Sequence, residues 1–179
     1  QRQFSEIYDK IIGPRGVVSE SLLIVRSILN LTSRKESIEY AQRNLRQLVE
    51  LNESASKALF DEITNFMSQL EGSDPEFRAQ FVISPEIRRM TTWKVIADLS
   101  EKVALDLQRL VGGLNRFRNS LESLSLEDSR FADGVCLETS VVCEEITQIQ
   151  DVLSQMLLNP DDQMVYWFEQ IDVESFSIH

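Results

Sequence analysis

The chain has 179 residues, 42% of them hydrophobic, which is enough for one ordinary core. Lys+Arg 18 against Asp+Glu 29 leave a formal net charge of -11. Such a surface disfavours non-specific binding of the whole molecule to nucleic acid or anionic membrane, although a local basic patch stays open to either.

Residues 1 to 12 carry Phe4, Ile7, Tyr8, Ile11 and Ile12 at helical spacing and predict a short amphipathic helix. Gly13-Pro14-Arg15-Gly16 stops it. A second helix follows, with Ser19 or a neighbour as its cap. Leu22, Leu23, Val25, Ile28, Leu29 and Leu31 make it apolar on more than one side, which predicts burial. Thr32-Ser33 offers a break and a cap.

A long helix is expected from about Glu36 to Glu71, with Ile38, Ala41, Leu45, Leu48, Ala55, Leu59, Ile63, Phe66 and Leu70 on its apolar face. Asn52 and Glu53 interrupt that face, and a bend or split is expected there. Arg43 and Arg46 lie on one side of this helix, as a solvated face or a phosphate contact. Gly72-Ser73-Asp74-Pro75 ends it. The stretch Phe77 to Ser84 is short, with Phe81-Val82-Ile83 extended or docked on the bundle. Ser84-Pro85-Glu86 has the form of a helix start, with Ser as cap and Pro at the first position. Arg88, Arg89 and Lys94 form the densest positive cluster, where phosphate contacts would be sought.

Thr91 to Leu124 is the longest regular seam. Trp93, Ile96, Val103, Leu107, Leu110, Leu114, Phe117, Leu121 and Leu124 recur at three- and four-residue steps, and only Ser100 breaks the series. Gly112-Gly113 falls inside it, at a cost of about 1 kcal/mol per glycine relative to Ala. A close helix crossing, a kink or no special role would each account for them, and the crossing is favoured. Residues 125 to 134 form a polar connection. Leu137, Val141, Val142, Ile146, Ile149, Val152, Leu153 and Met156 mark a further helix, ending before Asn159-Pro160. The register then changes: Gln163 to Glu169 and Glu174 to His179 read as two strands, with a turn at Gln170 to Val173. A lone hairpin is marginal in water and would more naturally join a sheet in a neighbouring domain. The expected fold is therefore mainly α, an elongated antiparallel helical bundle over residues 1–162 with a short C-terminal β-hairpin over 163–179.

Catalytic chemistry finds little footing. The only His is His179, so a Ser-His-Asp or Cys-His arrangement lacks a base. Glu-x-x-His pairs and phosphate-binding glycine loops are absent from the sequence. Glu138, Glu144, Glu145 and Asp151 line one helix as a solvated face rather than an active site. No catalytic, cofactor-binding or metal-binding residue is expected. Cys136 and Cys143 are seven residues apart, roughly 10 Å along a helix, which is too far for a mutual disulfide. Two unbridged thiols suit a reducing cytosol, and a cytoplasmic setting is expected. No apolar run approaches the roughly 20 residues of a membrane span, so no membrane partner is expected. Gln1-Arg2-Gln3-Phe4 lacks a signal-peptide pattern, and the missing initiator Met suggests an excised or processed chain.

Val165-Tyr166-Trp167-Phe168-Glu169, followed by Ser175-Phe176-Ser177-Ile178-His179, resembles a segment of DinG-type ATP-dependent DNA helicases, relatives of XPD within superfamily 2. In that family a helical insertion, the arch, interrupts the first motor domain, and the chain returns through a strand reading roughly V-Y-W-x-E. Ala58-Leu59-Phe60-Asp61-Glu62-Ile63 and the stretch from Arg89 through Trp93 look like the arch's helical part. The resemblance implies an arch domain that encloses and guides single-stranded DNA beside the motor domains of its parent chain. It implies no cofactor here, with ATP and Mg bound by the parent, and no activity for this chain alone. The Walker A loop, D-E-A-H box and four-cysteine segment of such helicases have no counterpart in this sequence, so no catalytic residue carries over. On this reading Arg43, Arg46, Arg88, Arg89 and Lys94 are the candidate strand contacts. The alternative is a non-catalytic interaction or signalling bundle using its apolar seams for partner helices.

Overall fold

The computed structural model describes residues 1–27, 32–70, 80–122, 129–161, 163–170 and 176–178. The helices are α1 (Arg2–Ile12), α2 (Val17–Ser27), α3 (Thr32–Leu70), the single turn α4 (Pro85–Arg88), α5 (Thr91–Glu122) and α6 (Ser129–Leu153). α6 runs on into a π-helical turn, Ser154–Leu158. The strands are β1 (Gln80–Val82), β2 (Trp167–Gln170) and β3 (Phe176–Ile178). The mainly α architecture with a C-terminal hairpin is as the sequence predicts. The breaker Gly72–Pro75, residues 77–79, Leu124, residues 125–128, the turn at 171–173 and His179 lie outside the described residues, as do the side chains of Leu23 to Leu31.

The chain divides into two compact units. The first comprises Gln1, Ala55–Ala104 and Gln150–His179, and the second Arg2–Ser54 and Leu105–Ile149. α3 and α5 each supply one part to either unit.

In the second unit the amphipathic pattern of α1 buries Phe4, Ile7, Tyr8 and Ile11. The other large apolar side chains buried in this unit include Ile38, Leu45, Val49, Leu107, Leu110, Leu114, Phe117 and Leu121. Helix α2 begins at Val17, two residues before the predicted cap. The Gly16 carbonyl receives the first helical bonds from Ser19 N (2.9 Å) and Glu20 N (3.0 Å), while Ser19 Oγ donates to the Gly13 carbonyl at 2.8 Å. Gly16 itself is required by space, because a Cβ there would stand 2.7 Å from the Ile11 carbonyl group. Asn52 does not split α3, which runs unbroken through it. Its buried Oδ1 accepts from Tyr8 Oη at 2.6 Å, which satisfies the oxygen.

The first unit holds the N-terminal stretch of the α5 seam, Trp93, Ile96 and Val103, together with Leu59, Ile63 and Phe66 of α3 and with Phe168. Its sheet has the order β1-β2-β3, antiparallel throughout. The register pairs Phe81 with Phe168 and Phe168 with Ile178, while Val82 opposes Trp167 on the other face. β1 thus gives the hairpin a third strand within this chain. That pairing is invisible to local sequence patterns, because two long helices, α5 and α6, intervene between the partners. β2 starts later than the predicted Gln163. The Asp161 carboxylate accepts from Gln163 N at 2.9 Å and its carbonyl from Met164 N at 3.0 Å, an Asx turn that delays the extended backbone. α6 begins at Ser129, earlier than the predicted end of the connection at 134. Gly134 sits within it, where an added Cβ would meet nothing within 4 Å.

The two glycines of α5 differ. A Cβ on Gly113 would meet Leu48 Cδ1 at 2.7 Å and Leu45 Cδ2 at 3.2 Å, so α3 and α5 cross closely there. A Cβ on Gly112 would meet only Arg116 Nη1, at 3.5 Å. α5 is continuous through both, so the predicted crossing rests on Gly113 alone. Gly112→Ala should raise stability by about 0.5–1 kcal/mol through helix propensity. Gly113→Ala should lower it by about 1 kcal/mol, because overpacking outweighs the same gain. Urea unfolding of the two variants checks this pair, and equal shifts would mean that Gly113 makes no close crossing.

Candidate nucleic-acid interface

The cluster around Arg88 begins with the predicted helix start. Ser84 caps α4 with φ -76 and ψ 163, and its Oγ accepts from Ile87 N at 3.4 Å. Pro85 occupies the first turn, where its missing N–H costs nothing. The Glu86 carboxyl is held below its ordinary value by hydrogen bonds from Ser84 and from its own backbone N–H, with Arg89 adding to the effect. Met90 N donates to Ile87 O and Trp93 N to Met90 O, so α4 passes directly into α5.

That geometry turns Arg88 inward. Its Nη2 donates to the Met156 carbonyl at 2.8 Å and its Nη1 to the Leu157 carbonyl at 3.3 Å. The last carbonyls of a helix have no partner within it, and a cation there also meets the negative end of the helix dipole. The π-helical turn, closed by Asn159 N to Ser154 O at 2.7 Å, is the end that Arg88 serves. The guanidinium lies 5.3 Å from the Trp93 ring and 5.9 Å from the Tyr166 ring, within cation–π range of both. Partial burial lowers the Arg88 pKa, with Tyr166 opposing the shift. Trp93 in turn packs edge-on to Phe66 at 5.7 Å and tilted against Phe168 at 6.3 Å. Arg88 is therefore occupied by this unit's own carbonyls and rings.

Arg89 and Lys94, its sequence neighbours, are exposed. Arg43 and Arg46 are exposed as well, on the α3 part belonging to the second unit. The structure thus brings Arg88, Arg89 and Lys94 into one unit and leaves the α3 pair in the other. The carbonyl partners of Arg88 were missed by sequence reasoning. A helix end followed by Asn159-Pro160 was the one available signal that carbonyls there need a donor.

The carboxylates of α6 make separate contacts. Lys10 Nζ binds both Glu145 oxygens, at 2.5 and 2.7 Å. Glu138 is raised above its ordinary value by partial burial first and by Glu20 second, with Lys10 opposing. Among the described residues no group of three His, Cys, Asp or Glu side chains is placed to hold a metal ion. Cys136 and Cys143 are free, half-buried thiols, both pushed up chiefly by desolvation. No described helix is long and apolar enough to cross a membrane.

Arg88→Ala should lower the unfolding free energy by about 2 kcal/mol, from lost charge-assisted hydrogen bonds and ring contacts. Arg88→Lys should recover less than half of that, because an ammonium cannot serve two carbonyls and stack as a planar guanidinium does. Urea unfolding followed by Trp fluorescence measures both, and an unchanged midpoint in Arg88→Ala would dismiss the clamp. No family model, no curated protein and no solved structure matches the chain.

Proposed function

We propose that this chain is the arch domain of a DinG-like, XPD-related 5′–3′ ATP-dependent DNA helicase, and that it helps to enclose and guide single-stranded DNA in DNA repair or replication. The observation that carries the reading is the tail. Val165 to Glu169, the residues that resemble the family's return segment, run as extended chain into β2, which pairs with β3 in an antiparallel hairpin and with β1 on its other edge. A helical insertion followed by a strand pair is the order that the resemblance implies. The partners are then the motor domains of the parent chain and single-stranded DNA, in a cytoplasmic setting, with ATP and Mg bound by the parent.

Arg89, Lys94, Arg43 and Arg46 are the exposed cations through which an acidic domain would touch phosphates. Arg88 supports the arch by positioning rather than by contact with the strand. The interaction-bundle alternative calls on the Thr91–Leu124 seam, but Trp93, Ile96, Val103, Leu107, Leu110, Leu114, Phe117 and Leu121 are all buried.

The test is the native polypeptide. An antibody raised to this chain, used on source lysate, should detect a product several times larger than 20.6 kDa. Peptides sequenced from that band should include a G-K-[ST] loop and a D-E-A-H box. A polypeptide of the chain's own size, without motor peptides, would end the helicase reading.

A further inference from the structure

Tyr40 stands on α3 one turn before Arg43 and is 68% exposed. A tyrosine ordinarily buries its ring and leaves only the hydroxyl wet. Arg43 and Arg46 follow at three and six residues, both exposed. The ten positions from Tyr40 to Val49 contain no Asp or Glu, in a chain whose net charge is -11.

Several helix cations are occupied by an acid on their own helix. Arg2, Lys35, Lys57 and Arg118 each bridge a carboxylate four residues further on. Among the described residues neither Arg43 nor Arg46 has such a bridge. The flanking acids are Glu39, which Lys35 meets at 3.9 Å, and Glu50, which lies four residues after Arg46 without bridging it. On a helix surface, residues three apart have Cβ atoms about 5–6 Å from one another. An open ring and a guanidinium at that spacing match one nucleotide, whose base stacks on an aromatic face while its phosphate takes a charge-assisted hydrogen bond. Gln47 and Leu51, the latter 61% exposed, continue the face of Tyr40 at seven and eleven residues.

We propose that Tyr40, Arg43 and Arg46 form a stacking-and-phosphate site for single-stranded DNA. The choice of a DNA strand as occupant rests on the helicase-arch reading above; the juxtaposition of ring and unbridged cations does not.

The experiment uses the native polypeptide that carries this chain, with an iodouracil-substituted oligo(dT) and an abasic oligomer of equal length. Irradiation should crosslink the tryptic peptide Glu36–Arg43, which contains Tyr40. Tyr40→Ala should weaken oligo(dT) binding about tenfold while leaving the abasic oligomer unaffected, and Tyr40→Phe should bind as wild type. Arg43→Ala combined with Arg46→Ala should weaken both oligomers and reduce the slope of log affinity against log salt by about 1.4. Wild-type affinity in Tyr40→Ala, with crosslinks elsewhere, overturns the site and leaves the arch reading standing. Failure of the wild type to bind oligo(dT) also overturns it. The arch reading falls separately, on the absence of motor peptides from the native polypeptide.

Discussion

One guanidinium organises the mixed α/β unit. Arg88 closes the carbonyl end of the π-helical turn after α6, and it does so beside two aromatic rings, Trp93 on α5 and Tyr166 ahead of β2. Each partner belongs to a different stretch of chain. Helix end, helix start and strand entry are therefore held by a single planar cation. The rings serve the charge, and Trp93 extends the same contact to Phe66 and Phe168. Removing water from a cation is costly unless hydrogen bonds replace the lost hydration, and the two carbonyls supply that replacement.

How much of this was legible in the sequence follows from the range of each interaction. The α5 seam was readable because burial along a helix leaves a periodic imprint, and even its interruption is benign. Ser100 is buried, yet its hydroxyl donates to the Ile96 carbonyl at 2.7 Å, so it can sit among apolar neighbours. The α4 start was readable because cap and proline act within four residues. The partner of Asn52 was not readable, because Tyr8 lies 44 residues away. The β1 stretch reads as extended or docked on the bundle but not as a sheet partner, for the same reason of distance along the chain.

The charged residues show the limit most sharply. Arg88 and Arg89 are adjacent in sequence and identical in chemistry, yet one faces carbonyls and rings while the other faces solvent. Successive residues on a helix differ by about 100° in direction, so a cluster counted along the chain is not a cluster in space. Position was legible and pairing was not. Pairing is what separates a structural arginine from one left open to an external phosphate, as the contrast of Arg88 with Arg43 makes plain.

The notch at Gly113 also fixes how α3 and α5 can be arranged lengthwise. Leu45 and Leu48 press into a place on α5 where no side chain stands. The positions one turn to either side are Arg109, Leu110, Arg116 and Phe117, all large. A slip of one turn, about 5.4 Å, would drive one of these against the leucines. Within this unit the notch therefore favours one lengthwise setting of the helix pair over a neighbour one turn away.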